Sequence, residues 1–182
     1  MLSLIYRKLI FPFLFASISV CIAQNTFIGV RWDTSVLLNN NTQSEGSPIG
    51  FALAYNQKII DRLSVEFSTG LVYFKDKSFN GFDFILNCKY SVNKNKRLFL
   101  VGGFVIHDNV SSASNSGSTK DDTFYLINFG LGYKLTKVVN FQVTYMHVVG
   151  ERHYGTIGKW PTFQKLELTG MLRFGLGFYF GI

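Results

Sequence analysis

The sequence predicts an all-β protein: eight antiparallel strands closed into an up-and-down barrel that spans a membrane, behind an N-terminal signal peptide. Three observations carry this reading. The last stretch, 163–182 (FQKLELTGMLRFGLGFYFGI), alternates, with Leu166, Leu168, Gly170, Leu172, Phe174, Leu176, Phe178 and Phe180 on one side and Lys165, Glu167, Thr169, Met171, Arg173, Gly175, Gly177 and Tyr179 on the other. A strand has a side-chain period of two, so one face is apolar and long enough to cross a membrane. Seven further segments read as strands, and their connections alternate between short and long. Finally, no run beyond the N-terminus is apolar enough for a transmembrane helix, and strands cross lipid only as a closed barrel with no free edge.

The N-terminal segment is read first. Arg7 and Lys8 precede an apolar run, Leu9 to Ile22, and Cys21-Ile22-Ala23 before Gln24 has the small-x-small form of a signal-peptidase site. Residues 1–23 are therefore expected to be a signal peptide cleaved near Ala23-Gln24, and 24–182 the barrel domain. Cleavage removes two of the 18 Lys and Arg and none of the 11 Asp and Glu, which leaves 16 − 11 = +5. It also leaves Cys88 without a second cysteine. On an exported chain a basic balance points to anionic lipid headgroups and not to nucleic acid.

The expected strands are roughly Thr26–Ser35, Pro48–Gln57, Leu63–Phe74, Phe82–Val92, Arg97–His107, Thr123–Leu135, Val139–Val149 and Phe163–Phe180. Lys58–Arg62, Asn93–Lys96 and Thr136–Val138 are tight, Lys75–Gly81 is intermediate, and Val36–Ser47, Asp108–Asp122 and Gly150–Thr162 are long and polar. Short turns on the periplasmic side and long loops outside are the pattern of outer-membrane barrels, which gives the location expected here. The segment SSASNSGST within Asp108–Asp122 reads as a flexible tip. Ile28, Val30 and Trp32 oppose Arg31 and Asp33; Val65, Phe67 and Leu71 oppose Glu66 and Ser68; Phe82, Phe84 and Leu86 oppose Asp83, Asn87 and Lys89. The fifth and sixth strands are apolar on both faces. Phenylalanine fills 19 positions, which suits β-structure and membrane interfaces.

The alternation places Arg31, Asp33, Glu66, Asp83, Lys89, Glu167 and Arg173 on the inward face. Four acids against three bases nearly balance. Unpaired buried charge is costly, so these side chains are expected to form a paired network that fills a narrow lumen. A proton or small-ion path through them is the functional alternative. Eight strands enclose little more than their own side chains, which argues against a wide channel. No metal-ligand spacing and no phosphate-binding glycine loop appears, so neither metal nor cofactor is expected.

The signal ending CIAQ, the eight alternating strands and the final LRFGLGFYFGI together resemble the small outer-membrane β-barrel proteins of Gram-negative bacteria, in particular the Bacteroidota group called PorT-like. The resemblance covers nearly all of the mature chain and speaks to fold and location more than to activity. A narrower one lies in RHYGTIGKWPTFQKLEL, which is similar to the lipid A deacylases, eight-stranded barrels with a His-x-Ser-Asn motif and a glutamate on the next strand. That resemblance implies catalytic roles for His153 and Glu167. Gly155 stands where the family has its nucleophilic serine, and Thr156 where it has asparagine. Without that serine no acyl-enzyme forms there.

The function expected is non-enzymatic: a monomeric barrel contributing to envelope structure, surface interaction or assembly through its outer loops. Its expected partners are outer-membrane lipids, lipopolysaccharide and other envelope proteins. A lipid A deacylase-like hydrolase and a small porin-like conducting barrel are the alternatives. A soluble barrel of lipocalin type, with its apolar face turned inward around a ligand, is the rival fold.

Overall fold

A computed structural model describes residues 25–39, 47–74, 79–110, 113–114, 117–119, 122–150, 152–159 and 162–181. The expected signal peptide, 1–23, lies outside the described residues. The strands are β1 (Thr26–Asn39), β2 (Ile49–Ile60), β3 (Leu63–Tyr73), β4 (Gly81–Ser91), β5 (Leu98–Asn109), β6 (Ala113–Ser114), β7 (Gly117–Thr119), β8 (Asp122–Lys134), β9 (Val139–Val149), β10 (His153–Lys159) and β11 (Thr162–Gly181).

Eight of these form the barrel in the order β1-β2-β3-β4-β5-β8-β9-β11, and β11 returns to pair with β1. Neighbours are antiparallel throughout, and the closing seam runs from Phe27 opposite Gly181 to Asn39 opposite Leu168. The sheet therefore has no free edge within the barrel wall. Eleven residues, the length of β3, β4 and β9, reach about 37 Å at ~3.4 Å per residue. Tilted by ~45°, such strands stand roughly 26 Å tall, the height of a membrane's hydrocarbon core.

Burial alternates one residue in, one residue out along β4 from Gly81 to Ser91. The outward row of the barrel is apolar: Trp32, Phe51, Leu53, Leu71, Leu86, Phe129 and Phe180 are all more than half exposed. So large an exposed apolar surface is tolerated only against lipid. The lipocalin arrangement is thereby reversed, with the apolar face out and the charges in. Cys88 lies on this outer face.

Two expectations are corrected. Two of the long connections, Asp108–Asp122 and Gly150–Thr162, are not plain loops. They carry β6, β7 and β10, which extend the sheet above the long-loop rim in the order β11-β10-β7-β6. Backbone pairing holds this flap, so side-chain alternation does not announce it. The second correction concerns β11. Leu38 faces Gly170 and Asn39 faces Leu168, so Thr169 has no opposite number: a β-bulge. One extra residue exchanges the two faces. Below the bulge Met171, Arg173, Gly175, Gly177 and Tyr179 point inward; above it Leu166 and Leu168 do, and Glu167 is exposed. Glu167 is therefore not an interior charge.

Candidate functional site

The lumen is where the chain's chemistry is concentrated. Six of the seven charges expected inside are buried there: Arg31, Asp33, Glu66, Asp83, Lys89 and Arg173. They divide into two clusters.

The larger is built around Glu66 on β3. Its Oε1 accepts from Arg31 Nη1 at 3.2 Å and its Oε2 from Lys89 Nζ at 2.5 Å. The Tyr179 hydroxyl donates to the same Oε2 at 2.5 Å, and Arg31 Nε donates to Asp33 Oδ2 at 2.8 Å. Two acids and two bases make the group neutral. Because Arg31 and Asp33 are two apart on one strand, β1 delivers both to the same side. Glycine makes the room: a Cβ on Gly175 would stand 2.5 Å from Asp33 Oδ1. The Lys89 ammonium lies 5.5 Å from the ring centre of Phe99 and 5.2 Å from that of Tyr179, within cation–π range of both.

The smaller cluster sits nearer the long-loop rim. Asp83 pairs with Arg173 Nη2 at 2.7 Å through one oxygen and with His107 Nδ1 at 2.7 Å through the other. The His107 ring stacks on Phe79, with centroids 3.9 Å apart and planes 10° from parallel. Around it lies a dry core that includes Phe74, Phe79, Val105, Phe124, Leu126, Leu168 and Met171. The apolar inward residues of β5 and β8, Val105, Phe124 and Leu126 among them, belong to this stopper. That explains why these two strands are apolar on both faces.

Sequence reasoning missed His107, Phe79 and the part played by Tyr179. Tyr179 falls on the inward row of β11, which was a usable signal. Phe79 lies between strands, where no period applies.

At the short-turn rim the lumen ends in a cavity of about 100 Å³ whose lining includes Lys89, Lys134 and Lys137. Outside it, Asp61 pairs with Lys58 at 3.5 Å and with Lys96. The Lys96 ammonium, bonded to Asp61 and adding its charge, holds that exposed carboxyl below the usual range.

The candidate hydrolytic residues lie on the flap. The register sets His153 opposite Glu167, Gly155 opposite Leu166 and Thr156 opposite Lys165. Cross-strand partners share a face, so the histidine and the glutamate are neighbours. The position the deacylase motif gives to serine has no side chain. Among the described residues no group of three or more His, Cys, Asp or Glu is placed to hold a metal ion.

No family model matches the chain. No curated protein does either. Among solved structures, the N-terminal β-barrel domain of OprF from Pseudomonas aeruginosa matches with a TM-score of 0.51 and 14% identity, over 86% of this chain and 98% of that one. Ail, the attachment invasion locus protein of Yersinia pestis, gives a TM-score of 0.48 at 14% identity, over 87% and 100%. The outer-membrane protein OprG from Pseudomonas aeruginosa gives 0.47 at 14%, over 88% and 98%. At such identity the match to the OprF barrel is one of fold. Closed on itself, girdled by apolar side chains and shaped like that domain, the chain has the fold of the small eight-stranded outer-membrane β-barrels.

Proposed function

We propose that this protein is a non-conducting, non-enzymatic outer-membrane barrel that serves envelope structure and surface interaction through its outer flap. The observation that carries the proposal is the blocked lumen. Two buried ionic clusters fill the lumen, and an apolar stopper packs around the one nearer the long-loop rim. A conducting pore needs a polar path with weak, multiple sites; the Asp83 pair is instead sealed among Phe79, Phe124 and Met171. On the long-loop side the described residues form the flap of β6, β7, β10 and the outer part of β11. Lipids and lipopolysaccharide are the partners of the barrel wall, other envelope proteins those of the flap, and the barrel acts as a monomer. Residues 1–23 serve as a cleaved signal peptide, which N-terminal sequencing of the mature protein tests. Membership in the PorT-like Bacteroidota group belongs to the same proposal, supported by CIAQ and the final strand.

Planar-bilayer recording tests the blocked lumen. The refolded protein is expected to give no current above background. Steps of conductance that change in Arg31→Ala or Glu66→Ala would overturn the reading.

A second reading, a lipid A deacylase-like hydrolase, has one observation in its favour, the placement of His153 opposite Glu167. It lacks a hydroxyl at Gly155. Lipid A mass spectra with and without the gene decide it: unchanged acylation removes the hydrolase.

A further inference from the structure

The interior is neutral cluster by cluster, but the short-turn rim is not. Between 58 and 64, 91 and 99, and 134 and 139, Asp61 is the one carboxylate, against Lys58, Arg62, Lys94, Lys96, Arg97, Lys134 and Lys137. Asp61 is already engaged by Lys58 and Lys96. Lys134 stands within electrostatic reach of the same two lysines, so three like charges converge beside the mouth. Seven cations against one carboxylate favour an anion.

The cavity supplies a shape to go with the charge. It holds about 100 Å³, and Lys89, Lys134 and Lys137 line it together with Ser64, Ser91 and Asn140, with no acid among the lining residues. Lys89 is fixed in the floor by Glu66 at 2.5 Å. The β8–β9 turn that carries Lys137 is ordered: Thr136 Oγ1 accepts from the amides of Val138 and Val139 at 3.1 and 2.9 Å. The Tyr179 amide in turn donates to Val138 O at 2.8 Å, which ties this turn to the closing strand. The side-chain donors of the lining are thus ammonium groups, hydroxyls and the amides of Asn56 and Asn140. No guanidinium fork lines the cavity to grip a planar carboxylate in bidentate fashion, whereas lysines bind phosphate as point charges. The Asn140 side-chain oxygen, buried and without a hydrogen-bond partner in the fold, is an acceptor for the P–OH of a monoprotonated phosphate.

We infer that the short-turn mouth of the barrel is a binding site for a phosphate group, held by Lys134 and Lys137 over the Lys89 floor. Two sources share that chemistry: a free phosphate in the periplasm and the headgroup of an anionic phospholipid in the adjoining leaflet.

The experiment uses the full mature chain, with folding verified by heat-modifiable electrophoretic mobility. In octyl glucoside micelles, inorganic phosphate is titrated by calorimetry. In phosphatidylcholine vesicles with and without phosphatidylglycerol, protection of Lys134 and Lys137 from an amine-acylating reagent is read by mass spectrometry. The variants are Lys134→Gln with Lys137→Gln, and Lys94→Gln as a rim lysine outside the cavity. Saturable phosphate binding that falls at least about tenfold in the double variant and not in Lys94→Gln supports the site with a free phosphate. Protection that depends on phosphatidylglycerol, without phosphate binding in micelles, supports it with a headgroup. Absence of both overturns the inference, as does an equal loss in Lys94→Gln, which would reveal diffuse rim charge. Neither result bears on conductance, so the blocked lumen stands or falls separately.

Discussion

The two ionic clusters of the lumen solve one problem in different surroundings. The Glu66 cluster is broad: two bases, two acids and a tyrosine hydroxyl share the charge, with the rim cavity close by. The Asp83 cluster is narrow: one carboxylate, one guanidinium and His107 are enclosed by aromatic and aliphatic side chains. A shared network spreads the desolvation cost over several bonds, while the smaller cluster rests it on the two contacts of one carboxylate. The comparison teaches that neutrality is kept locally, cluster by cluster, and not merely on average over the barrel.

Glu66→Ala is expected to have the largest effect. It strips Arg31 and Lys89 of a shared partner at once, and breaking a buried pair costs about 3–5 kcal/mol. We expect a loss at or above the upper end of that range, measured by urea unfolding of the refolded protein in lipid vesicles. Asp83→Ala strands Arg173 and leaves His107 Nδ1 without its carboxylate partner, but only one full charge is left unpaired, so about 3 kcal/mol is expected, less than for Glu66→Ala. The double change Asp83→Leu with Arg173→Met should recover part of that loss, because it removes the stranded guanidinium while His107 Nδ1 still lacks its partner. If the double variant is as weak as Asp83→Ala, the His107 contact and not the Arg173 pair carries the narrow cluster. Gly175→Ala comes next. Its Cβ intrudes on Asp33 Oδ1 and lies 3.2 Å from Gln142 Cγ, so roughly 1–3 kcal/mol of overpacking is expected. An unchanged unfolding midpoint would mean that the Glu66 cluster adapts freely.

Asp61→Asn is the smallest effect. This exposed carboxyl is held below its usual range by Lys96, so its contribution is present above the unfolded-state value and is lost as pH falls through the folded one. No measurable change is expected at neutral pH, and any small difference should vanish on acidification in a pH series. A clear neutral-pH loss would show that the short turns act as a structural belt.

Most of the wall and most of the lumen charge were legible in the sequence because a strand has only two faces. Arg31, Glu66, Asp83, Lys89 and Arg173 each sit between apolar neighbours, Asp33 follows Trp32 two residues after Arg31, and parity alone turns all six inward. Glu167 defeats the same rule. Leu166 and Leu168 above the bulge and Leu172 and Phe174 below it are all apolar, yet the first two fill the lumen and the others face outward. Lipid and a dry core attract the same side chains, so alternation passes through the bulge unchanged. Moving Glu167 outside also removes the surplus acid expected inside: three acids now meet three bases. The flap was not legible, since its pairing runs through backbone groups in serine- and glycine-rich segments. The placement of His107 against Phe79 depends on a segment between strands that no periodicity describes.

One consequence follows from β11 being a single strand of 20 residues that serves both barrel and flap. Its outer part pairs with β10, and its inner part is hydrogen-bonded to β1 on one side and β9 on the other. A pull on the flap along this strand is delivered parallel to the barrel's ladders. The many bonds of both seams then share the load in shear, instead of parting one at a time as a peeled edge would. Mechanically, the flap is anchored by the most extensively paired strand of the wall, and tension on it is carried by both of that strand's seams.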